Sequence, residues 1–369
     1  MEVMMKELGE IITGNTPSKK TEAFWSSEDI CFIKPDIIAD DGINEIVDSN
    51  EYISEDARKK ARVVGKNSIF ITCIGSIGKI GIASDGEYAF NQQINAIIPN
   101  DRVQPKYLAY NLLFNKPRLV AIANAPVVPI INKSQFGEFT VNIETDIDRQ
   151  CEIVDVLDKF TQIIQQRNKE ISALDELIKA RFVELFGDPV MNEKGWITKS
   201  LLDMGRCKNG MNFHYDDEGV EINCLGVGDF KELSIIDNTD ELPTVSLKEM
   251  PSEEYLLKDD DIVFVRSNGN KALVGRSIAV YPGNVPTTFS GFCIRYRKYD
   301  NEIIVPYLLR ALKVDSMRMK VTGRGANIQN LNQQILGTLV IPVPPIELQN
   351  QFADFVKQVD KSKFINQLL

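Results

Sequence analysis

Residues 67–83 read NSIFITCIGSIGKIGIA, and residues 260–280 read DDIVFVRSNGNKALVGRSIAV. Each stretch places an apolar, β-branched strand beside a turn marked by glycines. The similarity continues in two further pairs of segments, IINKSQFGEFTVNI (130–143) with NLNQQILGTLVIPV (330–343) and DRQCEIVDVLDK (148–159) with ELQNQFADFVKQ (347–358). The chain therefore carries one unit twice, and each copy is followed by a helix. This duplication predicts two similar sites.

Each copy is predicted to be an α+β domain of about 150 residues with several hairpins. In the first copy SIFITCI (68–74) and QINAIIP (93–99) are predicted strands, and KYLAYNLLF (106–114) is a predicted short amphipathic helix. The second copy repeats this order with DIVFVRS (261–267), GFCIRYR (291–297) and VPYLLRALK (305–313). A length of 369 residues is enough for two such domains and two helices.

Residues 148–186 are predicted to form one long helix. Apolar positions alternate at intervals of three and four over five heptads, a spacing typical of a coiled coil. Gly187 and Pro189 are expected to end the helix. The predicted seam holds Gln150, Ile153, Leu157, Phe160, Ile164, Arg167, Ile171, Leu174, Ile178, Arg181 and Leu185.

The expected partner of this helix is the C-terminal segment 345–369, which follows a proline-rich stretch. Because the two helices follow opposite repeats, an antiparallel pair is expected. The second helix is shorter, so the central helix is partly unpaired or covered by another chain. The predicted segments are 1–147, 148–187, 188–344 and 345–369, and the predicted coiled-coil interface holds Leu157, Phe160, Ile164, Ile171, Leu174, Ile178, Phe352, Phe355 and Val359.

The composition argues against several classes of protein. The chain has one histidine, His214, so histidine-based catalytic triads and histidine-rich metal sites are nearly excluded, and we predict neither catalytic residues nor a metal. The Gly75–Lys79 turn lacks the spacing of a phosphate-binding P-loop. Six scattered cysteines indicate reduced thiols, and no apolar run approaches the roughly 20 residues of a membrane span. We expect a cytoplasmic protein without membrane partners.

The net charge of −10 is distributed unevenly. Residues 57–84 hold six Lys or Arg and no acid, and residues 262–325 hold eleven against three acids. Residues 216–261, in contrast, hold fifteen acids against three bases. Each repeat thus carries a basic segment, which indicates an anionic ligand, although a solvated face that balances acids elsewhere is an alternative.

Hydrogen-bonding side chains lie near the turns of both repeats. Arg and Lys suit phosphates and guanine, whereas Asn and Gln suit adenine edges. Asn and Gly are also common in turns for purely conformational reasons. The candidate DNA-binding residues are Lys19, Lys20, Lys60, Ser76, Lys79, Asn91, Gln92 and Lys133 in the first repeat, and Arg266, Asn268, Asn270, Lys271, Arg276, Arg324, Asn327 and Gln329 in the second.

The order and duplication of these motifs resemble the specificity (S) subunit of type I restriction–modification systems, over essentially the whole chain. The first copy contributes LGEIITGNTPS (8–18), FIKPDI (32–37), ITCIGSIGKIGIA (71–83), FNQQINAI (90–97) and the helix opening at 147. The second copy contributes LGVGDF (225–230), NIQNLN (327–332) and IPVPPIELQNQF (341–352).

The resemblance implies two target recognition domains that each read half of a bipartite sequence in double-stranded DNA, separated by spacer helices in an antiparallel coiled coil. It implies two modification (M) subunits that bind S-adenosylmethionine (AdoMet) and methylate adenine, and restriction (R) subunits that use ATP and Mg²⁺. The chain itself is then non-catalytic and has no cofactor of its own.

Two other functions stay open from the residues alone. One is a coiled-coil interaction scaffold whose two β-rich domains bind proteins. The other is an independent AdoMet-dependent methyltransferase, for which the sequence has no recognisable cofactor motif.

Overall fold

The computed structural model describes residues 1–123, 128–213, 219–230, 235–322 and 330–368, without the side chains of residues 271, 322 and 364–368. The chain divides into two compact units, Met1–Gln165 and Gln166–Leu369. This division falls inside the long central helix and does not test the four predicted segments, which stay a prediction.

The first unit combines short strands, helices and 3₁₀ turns. Its 3₁₀ helices are Met5–Glu7, Glu22–Trp25 and Glu55–Lys60. Its strands are β1 (Glu2–Met4), β2 (Gly9–Thr13), β3 (Ile30–Ile33), β4 (Ile43–Ile46), β5 (Tyr52–Ile53), β6 (Val63–Val64), β7 (Ile69–Thr72), β8 (Ile80–Ala83), β9 (Tyr88–Phe90), β10 (Ile94–Pro99) and β11 (Thr140–Asn142). Its helices are α1 (Pro105–Phe114), α2 (Lys116–Ile122), α3 (Lys133–Glu138) and the start of α4 (Ile147–Phe186).

Two sheets form the body of this unit. The larger has the order β2-β10-β7-β8-β4, and the smaller has the order β5-β3-β9-β6. β1 pairs with β11 and brings the beginning of the domain beside its end. One face of β7, through Ile69 and Ile71, packs with Leu108 and Leu112 of α1 in one hydrophobic core. The opposite face, through Phe70, packs with Phe90 in a second core.

The second unit has the same kinds of element, with a smaller sheet of three strands in place of four. Its 3₁₀ helices are Leu201–Asp203, Val227–Asp229, Thr239–Glu241, Glu253–Tyr255 and Lys271–Leu273. Its strands are β12 (Thr198–Ser200), β13 (Gly205–Asn209), β14 (Val220–Leu225), β15 (Ile235–Ile236), β16 (Thr244–Leu247), β17 (Asp261–Val265), β18 (Ser277–Val280), β19 (Thr287–Phe289), β20 (Cys293–Lys298) and β21 (Val340–Pro342). Its helices are α5 (Val305–Lys313), α6 (Asp315–Thr322), α7 (Gln333–Gly337) and α8 (Ile346–Leu368). Its smaller sheet has the order β16-β14-β19.

The larger sheets of the two units share one topology. The larger sheet of the second unit has the order β13-β20-β17-β18-β15, which repeats the order in the first unit strand for strand. Each larger sheet also ends in a parallel pair, in contrast to its other, antiparallel pairs. β4 runs parallel to β8, and β15 runs parallel to β18. The predicted α+β fold with two similar domains is therefore confirmed.

The long helix α4 runs without interruption from Ile147 to Phe186 and ends at Gly187, whose φ of +74° favours glycine. Within the second unit, its C-terminal part packs antiparallel to α8. Asp175 bonds Lys363 at 2.6 Å, while Phe182, seven residues later on α4, contacts Phe352 near the start of α8. The expected antiparallel helix pair is present here.

The buried face of α4 in the second unit is wider than the heptad pattern predicts. The guanidinium of Arg181 lies 6.0 Å from the ring centre of Phe355, as the seam predicts. However, the aromatic core is made by Phe182 and Phe186, which the heptad pattern leaves out and which are fully buried. Ile178, Phe182 and Phe186 follow one another at intervals of four residues and form this broader face. The face is broader because the globular core covers it as well as the partner helix.

Candidate nucleic-acid interface

A turn after β7 places polar groups at one end of the larger sheet in the first unit. The amide of Thr72 donates to the carbonyl of Lys79 at 3.2 Å, and the amide of Gly78 donates to the carbonyl of Thr72 at 2.9 Å. Gly75 and Gly78 adopt φ values of +77° and +78°, which side chains with a Cβ rarely adopt. These bonds fold the turn so that Ser76 is exposed at its tip.

Two further loops lie beside this turn. The amide of Cys73 donates to the carbonyl of Gln93 at 2.7 Å, and the amide of Ile131 donates to the carbonyl of Cys73 at 2.9 Å. The turn is therefore held between the loop before β10 and the segment before α3. Exposed side chains of Ser76, Gln92 and Lys133 lie on these three neighbouring segments.

The loop after β2 joins the same group. The hydroxyl of Thr16 donates to Oε1 of Gln92 at 2.8 Å, and Nδ2 of Asn15 donates to the carbonyl of Lys60 at 2.6 Å. Gly14 permits this approach, because a Cβ at that position would lie 2.2 Å from the carbonyl oxygen of Asn91. The first-domain loop cluster, as we call residues 14–20, 59–62, 73–78 and 90–93, is thus built from four separate segments.

Part of the basic segment 57–84 is neutralised inside the domain. Arg58 pairs with Glu55 and Glu87, and Lys66 pairs with Asp85 at 2.7 Å. Within the first-domain loop cluster, the exposed cations for which the described part of the chain offers no ion pair are Lys20, Lys59, Lys60 and Arg62. These four side chains, and not the whole segment, supply the available positive charge of the loop cluster.

Three candidate residues of the first domain are engaged within the fold. Lys19 pairs with Glu51 at 3.2 Å and lies 4.9 Å from the ring centre of Trp25. Nζ of Lys79 lies 2.7 Å from Asp40, and this hydrogen bond lowers the pKa of the aspartate. Asn91 is buried.

The side-chain Nδ2 of Asn91 donates to Oε1 of Gln93 at 2.9 Å. Lys79 and Asn91 therefore use their polar atoms to shape the loops, and their predicted contact with DNA stays a prediction.

The second unit repeats the backbone hydrogen bonds of the turn after β7. The amide of Val265 donates to the carbonyl of Arg276, and the amide of Gly275 donates to the carbonyl of Val265, both at 2.9 Å. The amide of Arg266 donates to the carbonyl of Phe292 at 2.8 Å, as that of Cys73 does to Gln93. Gly210 corresponds to Gly14.

A Cβ on Gly210 would lie 2.1 Å from the carbonyl oxygen of Ser290. The framework is therefore common to both domains, while the side chains on it differ.

The turn of the second unit, residues 266–276, carries the described candidates of this domain. Nη1 of Arg266 donates to the carbonyl of Gly291 at 3.2 Å. Oδ1 of Asn268 accepts from the amide of Asn270 at 2.7 Å, and Oδ1 of Asn270 accepts from the amide of Ala272 at 3.0 Å.

Neither bond uses the side-chain nitrogen of Asn268 or Asn270, and the side chain of Asn270 is exposed. Arg276 is half-buried at the start of β18. The predictions for Arg324, Asn327, Gln329 and the side chain of Lys271 lie outside the described residues.

One buried glutamine ties each long helix to the domain before it. Oε1 of Gln150 accepts from the amide of Gln104 at 2.7 Å, and its Nε2 donates to the carbonyls of Arg102 and Glu144 at 3.2 and 2.7 Å. Gln150 is fully buried. This glutamine clamp therefore joins the first turn of α4 to two loops.

Gln349 makes the same clamp at the start of α8. Its Oε1 accepts from the amide of Ile304 at 3.0 Å, and its Nε2 donates to the carbonyls of Glu302 and Pro344 at 3.0 and 2.8 Å. It too is fully buried. Both helices therefore leave their domains through the same set of three hydrogen bonds.

The family model of the type I restriction modification DNA specificity domain matches this chain twice, at residues 1–173 and 193–369. The chain belongs to this family. The two specificity domains named by these matches contain the two sets of loops described above.

Named relatives agree with the family. The chain is 27% identical over 287 residues to the type I restriction enzyme MjaIX specificity subunit of Methanocaldococcus jannaschii, a match covering 71% of this chain and 65% of the relative. It is 28% identical over 164 residues to the HindI specificity subunit of Haemophilus influenzae, covering 44% of this chain and 33% of that subunit. The chain thus spans less than two thirds of either relative.

Solved structures show a similar fold. The S subunit of a type I restriction–modification system from M. genitalium matches with a TM-score of 0.52 at 18% identity, covering 100% of this chain and 91% of that chain. A chain from a study of complex assembly and conformational transition of the type I R-M system matches with a TM-score of 0.55 at 15% identity, covering 99% and 91%. These likenesses concern the fold.

Several features of the specificity domains are not visible in local sequence. The contact between the loop at Thr16 and the loop at Gln92 spans 76 positions. The available signal was a glycine directly after the first strand of each larger sheet, Gly14 after β2 and Gly210 after β13. Over the described ranges, no helix is long and apolar enough to cross a membrane, and no three His, Cys, Asp or Glu side chains are arranged to hold a metal ion.

Proposed function

We propose that this chain is the DNA sequence-specificity subunit of a type I restriction–modification complex. The observation that supports it most is the duplicated framework, in which identical backbone bonds carry different side chains. Thr72 and Val265 make the same turn bonds, but Ser76 stands on one turn and Asn270 on the other. Two such domains suit a target in two unequal halves.

DNA binding would combine phosphate contacts with base readout. Exposed cations such as Lys20, Lys60 and Arg62 would attract backbone phosphates, with affinity falling as salt rises. Amides such as those of Gln92 and Asn270 would read base edges in the major groove, where a good bidentate pair contributes about 1–3 kcal/mol of discrimination.

The chain would act with partners. Two modification subunits would bind AdoMet and methylate adenine, and restriction subunits would use ATP and Mg²⁺ to cleave DNA. The chain would supply specificity and no catalytic group, and it would work in the cytoplasm. The sequence likeness to specificity subunits supports these assignments.

The test is to map methylation by the chain in complex with its own modification subunits on a random DNA library. We expect a motif of two separated halves. Gln92→Ala should relax one half only, and Asn270→Ala should relax the other half only. Lys60→Ala should weaken binding to all sequences and reduce the salt slope by about 1.

Lys169→Ala is the matched control, because Lys169 is an exposed cation on α4 outside the loop clusters. It should leave the motif and the salt slope unchanged. If the complex binds no DNA while the chain still captures protein partners, a coiled-coil scaffold would replace our proposal.

A further inference from the structure

An exposed phenylalanine stands among the polar loops of the second domain. Phe292 lies directly before β20, and it is 61% exposed. The residues that follow it, 293–296, are all buried. Single exposed apolar side chains are common on protein surfaces, so exposure alone carries no argument. The place of Phe292 beside the turn 266–276 is what distinguishes it.

The backbone of Phe292 is held by three hydrogen bonds. Its carbonyl accepts from the amides of Arg266 and Ser267 at 2.8 and 3.3 Å. Its amide donates to the hydroxyl of Ser290 at 3.3 Å. The ring therefore stands on a fixed support that is bonded to the turn carrying Asn270. A support fixed in advance lowers the entropy that a side chain loses when it meets a ligand.

The residue before the ring brings two polar side chains to the same place. The amide of Gly291 donates to the carbonyl of Met211 at 2.6 Å, and its carbonyl accepts from Nη1 of Arg266 at 3.2 Å. A Cβ on Gly291 would lie 2.0 Å from Oδ1 of Asn212, so the exposed side chain of Asn212 lies against this glycine. Phe292 thus directly follows a glycine that contacts a guanidinium and an exposed amide.

The first domain has a polar residue at the corresponding position. The amide of Cys73 donates to the carbonyl of Gln93 as that of Arg266 does to Phe292, so Gln93 corresponds to Phe292. Oε1 of Gln93 accepts from Nδ2 of Asn91 at 2.9 Å and so serves the loop itself. The same framework therefore presents an exposed apolar ring in the second domain and an internally bonded amide in the first.

We propose that Phe292 is a specificity-determining residue that contacts the 5-methyl group of a thymine in the DNA target. This inference rests on the proposed function and specifies one part of the target. Thymine alone among the four bases presents a methyl group in the major groove, and phenylalanine is one of the side chains that contact it. The amide of Asn212 suits the same base pair, because asparagine matches the edge of the adenine opposite thymine.

The test removes the methyl group from the DNA and the ring from the protein. The full chain in complex with its modification subunits is titrated with duplexes that carry its mapped methylation motif. Each thymine of the motif, on either strand, is replaced in turn by uracil, which pairs in the same way and lacks only the methyl group. Phe292→Ala removes the ring, and Phe292→Leu keeps an apolar contact.

We expect one replacement of thymine by uracil to weaken binding by the unaltered complex about fourfold, because one buried methyl group is lost. Phe292→Ala should bind the thymine and uracil duplexes equally, and Phe292→Leu should keep part of the difference. Tyr299→Ala is the matched control, since Tyr299 is 62% exposed and lies at the opposite end of β20. It should keep the full difference.

The outcomes separate this inference from the proposed function. A motif in two halves that is insensitive to every uracil replacement would overturn the role of Phe292 and leave the proposed function standing. A two-part motif without thymine would do the same. Equal sensitivity in the unaltered complex and in Phe292→Ala would also overturn it, because another residue would then contact the methyl group. If no two-part motif is found, the inference and the proposed function both fail.

Discussion

At the scale of single residues, the glutamine clamps connect the sequence repeat to the geometry of each domain. Gln150 and Gln349 occupy equivalent positions and are fully buried. Each accepts a hydrogen bond from one backbone amide and donates to two backbone carbonyls, at the point where a long helix begins. A polar residue retained inside two cores in this way sets the direction of the helix as well as contributing to stability.

We predict that Gln150→Leu destabilises the first domain by about 3 kcal/mol, because one buried amide and two buried carbonyls lose their partners. Hydrogen exchange should rise in residues 102–107 and 144–150. Gln162→Leu on the exposed side of the same helix is the control and should leave exchange there unchanged. Equal protection in the two variants would show that the clamp contributes little.

Buried thiols predict the behaviour of the second domain in alkali. Burial raises the pKa values of Cys207, Cys224 and Cys293 to about 12 from an ordinary value near 9. Above pH 9 the unfolded chain releases these protons while the folded domain keeps them, so stability falls as pH rises. Each thiol should contribute a loss of about 1 kcal/mol between pH 9 and 10, with a slope that approaches about 1.4 kcal/mol per pH unit at higher pH.

Urea unfolding in reductant between pH 9 and 10 measures this loss. Cys293→Ala should make the decline shallower, since it removes one of the three titrating thiols. The exposed Cys151 provides the control, and Cys151→Ala should leave the pH dependence as it is. An identical decline in both variants would contradict the assignment to buried thiols.

At the scale of elements, the aromatic contact between α4 and α8 stabilises the end of the second domain. The ring centre of Phe352 lies 5.5 Å from that of Phe182 and 5.6 Å from that of Phe186. In the first unit, by contrast, Phe160 and Ile164 of α4 are 59% and 60% exposed. Described residues therefore cover α4 at its start, where Val154 is buried, and near its end, but leave Phe160 and Ile164 between them exposed.

Phe352→Ala should cost the second domain about 3–5 kcal/mol, because it leaves a cavity among fully buried rings. Phe160→Ala is the matched control, because it makes the same substitution on an exposed face of α4. It should change the free energy of unfolding by less than about 0.5 kcal/mol. Thermal or urea unfolding of the full chain distinguishes them, and comparable losses would mean that α8 does not form this core.

Prediction from sequence worked well for these elements and less well for their buried faces. The predicted helix 148–186 corresponds to Ile147–Phe186, since helical periodicity is a local property. The heptad pattern did not single out Phe182 and Phe186. Whether a helix is covered by a narrow partner helix or by a domain core depends on residues far away in sequence.

At the scale of the whole molecule, the length of α4 would set the spacing between the two DNA half-sites. Contacts with the first domain extend along α4 to Thr161, whose hydroxyl lies 3.1 Å from that of Tyr110. Contacts with α8 begin at Asp175. Residues 163–169 lie between these two junctions and are the segment in which length can be changed.

Deleting residues 163–169 shortens the helix by about 10 Å and keeps its helical phase within about 20°. We expect methylation mapping of the complex to show a spacer shorter by about three base pairs, with both half-sites unchanged. Replacing the same seven residues by alanine preserves length and should preserve the spacer. An unaltered spacer after the deletion would exclude this measuring role.

The sequence alone determined that the chain carries one unit twice, where its strands and helices lie and which loops hold polar residues. These properties follow from local periodicity and from repetition, which are readable without coordinates. Only the tertiary structure decided which charges are available. Lys79 is neutralised by Asp40, 39 positions before it, whereas Lys60 is exposed and has no ion pair in the described part of the chain. Charge pairing acts through space, so its outcome depends on how distant segments are brought together by the fold.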